Sequence, residues 1–430
     1  MRRIKLLVGT LLFIFTLFTL MALSGNKHLP VKAPKTPLKA VVDPILVKQY
    51  NQKQQQLNEA VSSYFKEALE SGEVVGAGVS IVQGDSILLS EGYGKKSVDA
   101  KARVDGETIF RLGSLSKGFT GVLAAELKSE GKLNWNDKVS DFIPEFKLGD
   151  TKNTEKITLG IILSHTSGTP YHSFTNLVDA GVSLHKIAGK FKEVKPISVP
   201  GAMYSYQNAM FALSAPMMQK ATGLEIGELF QNHFFDPLHM QTATTDFEIL
   251  AGSKNVAIPH VRSRSGWRSS KLSDSYHNAI AAGGVNASAM DMAKWMRFLL
   301  GHNPEVMDKN ALAEAFEPRV DVSIGRKYYK GWPGHVSSHY ALGWRIHKFE
   351  DEATKAKETV WHHGGSVNHF RNEIAVFPND DMGICVLLNS NSKLAKTVIP
   401  DLQQIVYQIY GKKTTTLPET TAETALLSYE

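Results

Sequence analysis

Between residues 45 and 69 apolar side chains recur at Leu46, Tyr50, Leu57, Val61, Tyr64, Phe65 and Leu69. That spacing lays them along one side of a helix. Two runs with strand character follow, at 75–82 and 86–93, and Gln83-Gly84-Asp85 between them has the chemistry of a hairpin turn. Residues 118–320 read as mostly helical with loops punctuated by Gly and Pro, and the clearest helical patterns cover 119–130, 208–221 and 289–300. Strand patterns return at 340–347, 359–362, 372–377 and 383–389, with Asn379-Asp380-Asp381 turning between the last two. A final amphipathic helix is expected over Val398–Tyr410. Strands at both ends with helices between them predict an α+β fold of the α/β-sandwich kind. Its sheet would be antiparallel and built from both chain ends, around a mostly helical insertion. No internal repeat is evident.

Composition changes this picture mainly at the termini. The chain of 430 residues is long enough for two domains or subdomains, and its 43% hydrophobic and 21% charged content is that of a globular protein. Residues 1–5 are basic and residues 6–23 form an uncharged apolar run, so 1–24 is expected to be a signal peptide or a membrane anchor. Residues 25–43, rich in Pro and Lys, read as a tether, 44–411 as the folded domain, and 412–430, rich in Thr, as a disordered tail. The formal charge of +6 sits in the leader: residues 1–39 carry seven Lys or Arg and no acid, leaving 41 basic against 42 acidic residues. A balanced domain without a basic face argues against nucleic-acid binding. Cys385 is the single cysteine, which excludes an intrachain disulfide and a cysteine-based metal site.

The candidate chemistry centres on residues 110–120, Phe-Arg-Leu-Gly-Ser-Leu-Ser-Lys-Gly-Phe-Thr, which read as a strand end, a sharp turn and a helix start. Ser114 and Lys117 are three apart and share a helix face. A serine hydroxyl becomes a nucleophile when an adjacent base takes its proton, and a lysine can serve if burial or a nearby cation lowers its pKa. Unpaired N–H groups at a helix start can also stabilise an oxyanion. Six Ser-x-x-Lys pairs occur in the chain, so the spacing alone is a weak signal. Three further stretches single out Ser114: Leu163-Ser164-His165-Thr166-Ser167-Gly168, Tyr204-Ser205-Tyr206-Gln207-Asn208 after Pro200-Gly201, and Trp361-His362-His363-Gly364-Gly365. Metal binding is not expected: His335 and His339 lack the glutamate of His-Glu-x-x-His, and adjacent histidines on a strand diverge. An α/β-hydrolase is not expected either, for want of a Gly-x-Ser-x-Gly.

With Ala282-Gly283-Gly284-Val285 and Ala341-Leu342-Gly343-Trp344, these stretches make the chain resemble, over about residues 60–410, the serine β-lactamase and penicillin-binding protein superfamily. The likeness is to its class C-like branch, which includes esterases, D-aminopeptidases and D,D-peptidases. The resemblance implies that Ser114 is the acylated nucleophile, Lys117 its proton acceptor and Tyr206 the tyrosine of Tyr-x-Asn that relays a proton to the leaving group. Asn208 would hydrogen-bond the substrate amide or the lysine. A second Tyr-x-Asn at Tyr276-His277-Asn278 fits less well, because Pro-Gly precedes only the first. Where class C enzymes carry Lys-Thr-Gly, this chain has His362-His363-Gly364. Alternation along a strand lets one histidine face the cleft, and the motif makes it His362. Gly364 and Gly365 would let substrate backbone lie against the strand, with the N–H groups of Ser114 and Gly365 as the oxyanion hole.

No cofactor is implied. The expected activity is that of an exported serine hydrolase acting through an acyl-enzyme on a small ester or a D-amino-acid peptide, periplasmic, secreted or tethered to a bacterial inner membrane through residues 6–23. Two readings stand beside it: a β-lactamase, disfavoured by the missing Lys-Thr-Gly, and a tethered penicillin-binding or scaffold protein with little turnover.

Overall fold

The computed structural model describes residues 44–323, 327–351 and 354–412. The expected leader and tether, and nearly all of the expected tail, lie outside these residues. No helix among the described residues is long and apolar enough to cross a membrane. From Gln52 onward the described chain forms one compact unit, and residues 44–51 are the exposed opening turns of helix α1 (Pro44–Glu70). Pro44 opens α1, where a missing N–H is harmless, and Gly72 follows its end at φ +68°. The face repeating through Leu57, Val61, Phe65 and Ala68 is the buried one.

Eight strands make the main sheet: β1 (Gly76–Gln83), β2 (Ser86–Gly94), β3 (Val320–Asp321), β4 (His335–Tyr340), β5 (Arg345–Glu350), β6 (Lys357–Val367), β7 (Phe370–Phe377) and β8 (Met382–Leu388). Their order is β2-β1-β8-β7-β6-β5-β4-β3, every neighbour antiparallel. The N-terminal hairpin thus joins the C-terminal strands through the pairing of β1 with β8, for example Val79 with Val386. Both sheet faces are covered, which is why β1 and β8 are apolar almost throughout.

On one face a hydrophobic core runs into the helical insertion and includes Phe110, Phe119, Trp295 and Trp344 with Ile374, Cys385 and Leu387 of the sheet. On the other, Leu57, Val61 and Phe65 of α1 and Val398, Leu402 and Val406 of the last helix pack with Val79, Ile81 and Val386. The architecture is therefore the α+β sandwich that the alternation of patterns predicts.

Two elements differ from the sequence expectation. The strand anticipated over 340–347 is a hairpin: β4 ends at Tyr340, Ala341-Leu342-Gly343-Trp344 turns with Gly343 at φ +79°, and Arg345 opens β5. The apolar run there is buried against helix α2 (Ser116–Ser129), not extended in the sheet, and Trp344 lies over Gly118. The helix anticipated over 208–221 breaks into α3 (Asn208–Ala212) and α4 (Ser214–Thr222). Pro216 has no N–H for the carbonyl of Ala212, so one continuous ladder is not possible.

Candidate active site

The Ser114 turn is held by backbone on both sides. Phe110 and Arg111 pair with Ala287 and Asn286, a 3-10 turn covers Gly113–Leu115, and α2 starts at Ser116. Asn372 on β7, fully buried, donates to the carbonyls of Arg111 (2.9 Å) and Leu112 (3.1 Å). Ser116 Oγ donates to the Gly113 carbonyl (2.7 Å) and accepts from the N–H of Val285 (3.0 Å). Every residue from 110 to 120 is buried except Ser114, which is half-buried. The turn thus presents one hydroxyl to solvent.

Lys117 is fully buried, with its amine 4.9 Å from the ring centre of Tyr206 and 5.4 Å from that of Phe211. Burial, aided by the cation of Arg345, holds its pKa well below the ordinary lysine value. An amine that has lost its proton keeps two N–H donors and a lone pair, so it can serve two acceptors and still take a proton from a third partner. The amine donates to Asn208 Oδ1 (2.8 Å) and the Ala282 carbonyl (2.7 Å) and lies 3.2 Å from Ser114 Oγ. The Tyr206 hydroxyl donates to Ser114 Oγ at 2.8 Å. Its pKa is pushed up to about 12 by burial, against the pull of its bond to Ser114 and of Arg345. Desolvation outweighs the cation, and Tyr206 holds its proton.

The folded chain thus brings Ser114, Lys117, Tyr206 and Asn208 within hydrogen-bonding reach. Asn208 opens α3 and donates its other arm to the hydroxyl of Tyr276 (2.8 Å), so the second Tyr-x-Asn tyrosine stands behind the site. His165 has its ring centre 4.3 Å from that of Tyr206, and its Nδ1 accepts the N–H of Gln207 (3.2 Å). It shapes the loop that carries Tyr206.

Strand β6 lies directly against the Ser114 turn. A side-chain carbon on Gly365 would stand 2.2 Å from the Leu112 carbonyl, and one on Gly113 (φ +58°) would stand 2.9 Å from the Ser366 backbone. The glycine at 365 is thus required by the chain's own backbone, where the sequence reading had assigned it to substrate approach. At Gly364 the bare face meets the Glu373 carboxylate and the Tyr328 hydroxyl, both 3.0 Å from an added carbon. The assignment of the cleft-facing histidine is also corrected. Register places His363, not His362, on the side of Gly365 and Ser114, and its Nε2 lies 3.0 Å from the Tyr340 hydroxyl. Its ring centre is 6.4 Å from that of Tyr206. His362 points to the opposite face, among Tyr329 and Trp332.

There His362 belongs to a buried chain. Its Nε2 is 2.8 Å from Glu373 and its Nδ1 3.0 Å from His347, which contacts Ser338 (2.8 Å), which in turn contacts His335 (2.7 Å). Burial and the cations of Arg345 and Arg371 hold the His362 pKa well below the ordinary imidazole value, which disfavours an ion pair with Glu373. Burial raises Glu373 to about 7, and its charge partner is Arg371 at 2.5 Å.

A cavity of about 690 Å³ opens behind the sheet, walled by Trp332, Phe349, Phe377 and Tyr407, and Ser114 is not among its lining residues. Glu126, Glu130 and His233 bring ligand atoms within 4.8 Å of one another at the opposite end of α2, where Glu130 also pairs with Lys132 at 2.6 Å.

The model of the Beta-lactamase family matches residues 61–405. Protein flp of Staphylococcus aureus (strain NCTC 8325 / PS 47) is 28% identical over 359 residues, covering 83% of this chain and 67% of that one. Unguisins hydrolase ungD' of Aspergillus campestris is 26% identical over 374 residues, covering 84% and 66%. The chain thus spans about two thirds of each relative's length. Among solved structures, the octameric penicillin-binding protein homologue from Pyrococcus abyssi superposes with a TM-score of 0.68 at 23% identity, covering 80% of this chain and 77% of that one. That likeness is one of fold.

Proposed function

The chain belongs to the Beta-lactamase family of serine hydrolases, and from that premise we propose that it hydrolyses a small ester or a D-amino-acid peptide through an acyl-enzyme on Ser114. The observation that carries the reading is the buried amine of Lys117, held by Asn208 and the Ala282 carbonyl at 3.2 Å from Ser114 Oγ, where burial and the Arg345 cation hold its pKa well below the ordinary lysine value. Lys117 accepts the serine proton as Oγ attacks the carbonyl. The N–H groups of Ser114 and of Gly365, whose strand packs against the Ser114 turn, receive the oxyanion in this reading. Tyr206, a phenol already pointing its proton at Oγ, passes that proton to the leaving group and is reprotonated from Lys117. Water then attacks the acyl-enzyme, its proton returns through the same pair, and Ser114 is released.

Replacement of Lys-Thr-Gly by His362-His363-Gly364 argues against an efficient β-lactamase, because His363 is neutral: burial, with the cations Arg345 and Lys117, keeps its pKa well down. The test is intact-protein mass spectrometry after mixing with a fluorescent penicillin, beside p-nitrophenyl ester turnover, for wild type and Ser114→Ala. Ester turnover that disappears in the variant supports the hydrolase. A persistent adduct without turnover would favour a penicillin-binding role, and equal turnover in Ser114→Ala would remove the assignment.

A further inference from the structure

The two acceptors that hold the Lys117 amine, Asn208 Oδ1 and the Ala282 carbonyl, both lean on one further residue. The hydroxyl of Tyr276 accepts the Nδ2–H of Asn208 at 2.8 Å. An amide has an acceptor at one end and donors at the other, so a partner for its nitrogen leaves its oxygen turned to the lysine. The ring of Tyr276 covers Gly283, where an added side-chain carbon would stand 2.6 Å from Cδ1. Gly283 follows Ala282 in the short helix Ile280–Gly283, so the same side chain also backs the second acceptor.

Tyr276 holds this place at a conformational cost. Its φ is +67°, in the left-handed region that bulky residues rarely enter. The backbone before it is clamped from two sides. Arg111 donates to the carbonyls of Ser273 and Ser275, and Asn368, in the turn between β6 and β7, accepts the N–H of Ser273 at 2.9 Å. Arg111 stands three residues before Ser114, on the strand that enters the nucleophile's turn. A strained residue persists where its surroundings over-determine it, and here they are the segments that carry the reacting groups. The contacts close a ring: from the Ser114 strand through Arg111 to the 273–275 loop, then Tyr276, Asn208, Lys117 and back to Ser114.

We propose that Tyr276 is a positioning residue for the base, fixing through Asn208 the placement of the Lys117 amine against Ser114. This rests on the acyl-enzyme reading above and deepens it. Tyr276 reaches Ser114 only through Asn208 and Lys117, so its loss acts on kcat and leaves KM little changed.

Tyr276→Phe deletes the hydroxyl and keeps the ring over Gly283. Its kcat on a p-nitrophenyl ester is expected to fall by about tenfold or more, the effect of one buried amide left without its partner. The pH profile separates positioning from a general loss of folded protein. The bond from the amine to Asn208 Oδ1 favours the protonated amine, so loosening that amide lowers the Lys117 pKa and moves the acid limb of kcat/KM to lower pH. The other titratable or charged groups near the amine, Arg345, His165, His172, His363 and Tyr206, are unchanged in the variant. In the Asn208→Ala background, where there is no amide to hold, Tyr276→Phe should cost nothing further. An unmoved acid limb, or an equal loss of kcat in that background, would overturn the proposal. Should wild type turn over no ester, the hydrolase reading fails separately. The titration of Lys117 then decides for Tyr276, followed by NMR at Cε in lysine-labelled protein and assigned by the signal lost in Lys117→Arg. A midpoint below that of wild type in Tyr276→Phe supports the proposal, and an equal midpoint refutes it.

Discussion

Where a proton rests at Ser114 follows from the solvation of two neighbours. Burial penalises the Lys117 ammonium and holds its pKa well below the ordinary lysine value, whereas the same burial penalises the Tyr206 phenolate and keeps that proton in place. One residue is thereby a base and the other a donor. Tyr206→Phe is expected to lower ester turnover by about 10²–10⁴-fold, measured as kcat with saturating p-nitrophenyl ester, because the donor is lost and the ring is kept. The pH profile carries its own sign. Lowering pH protonates Lys117 and removes the base, so kcat/KM for a non-ionising ester falls on the acid side. Since the folded-state pKa lies well below 10.5, the plateau is reached at a lower pH than a surface lysine would allow. In Arg345→Gln the loss of a cation raises the Lys117 pKa and moves the acid limb to higher pH. At this scale the sequence was informative where spacing carries geometry: Ser114 with Lys117, and Tyr206 with Asn208. It was silent on Arg345, whose setting depends on Tyr329 and Tyr340 converging from a loop and a neighbouring strand.

Among the elements, β6 against the Ser114 turn is the contact with least tolerance. Gly365→Ala forces a methyl to 2.2 Å from a carbonyl that Asn372 already holds. Something in the backbone must shift, and destabilisation of about 1–3 kcal/mol is expected, with loss of ester turnover. Gly189, in the helix Leu184–Lys190, is the contrasting case, because nothing lies within 4 Å of an added methyl. Gly189→Ala should stabilise by up to about 1 kcal/mol. Urea unfolding of the two variants reads both signs. Element types were legible from periodicity, as for α1, the β1–β2 hairpin and the closing helix. Boundaries were not, where burial overrode pattern: residues 341–344 are apolar because α2 covers them, a tertiary cause that alternation does not encode. The facing of His362 and His363 was hidden for the same reason, since alternation says that they differ and only register against the turn says which is which.

For the unit that starts at Gln52, one sheet shared between two cores makes either core answerable for the other. Phe65 is fully buried on the side away from Ser114 and stacks on Tyr93 at 4.9 Å. Phe65→Ala is expected to cost about 3–5 kcal/mol through lost burial and a cavity. The whole unit should then melt earlier in a single calorimetric transition, with turnover per folded molecule retained. Two separate transitions would contradict the shared sheet. The strand order has a consequence for synthesis as well. β1 finds its second neighbour only in β8, roughly 300 residues later, an interval of about 15–60 s at the usual 5–20 residues per second. Throughout that time the nascent hairpin offers an open, apolar edge to any extended strand nearby. The last strand to leave the ribosome is thus the one that closes the first, and a chain stopped short of Met382 would remain adhesive along β1.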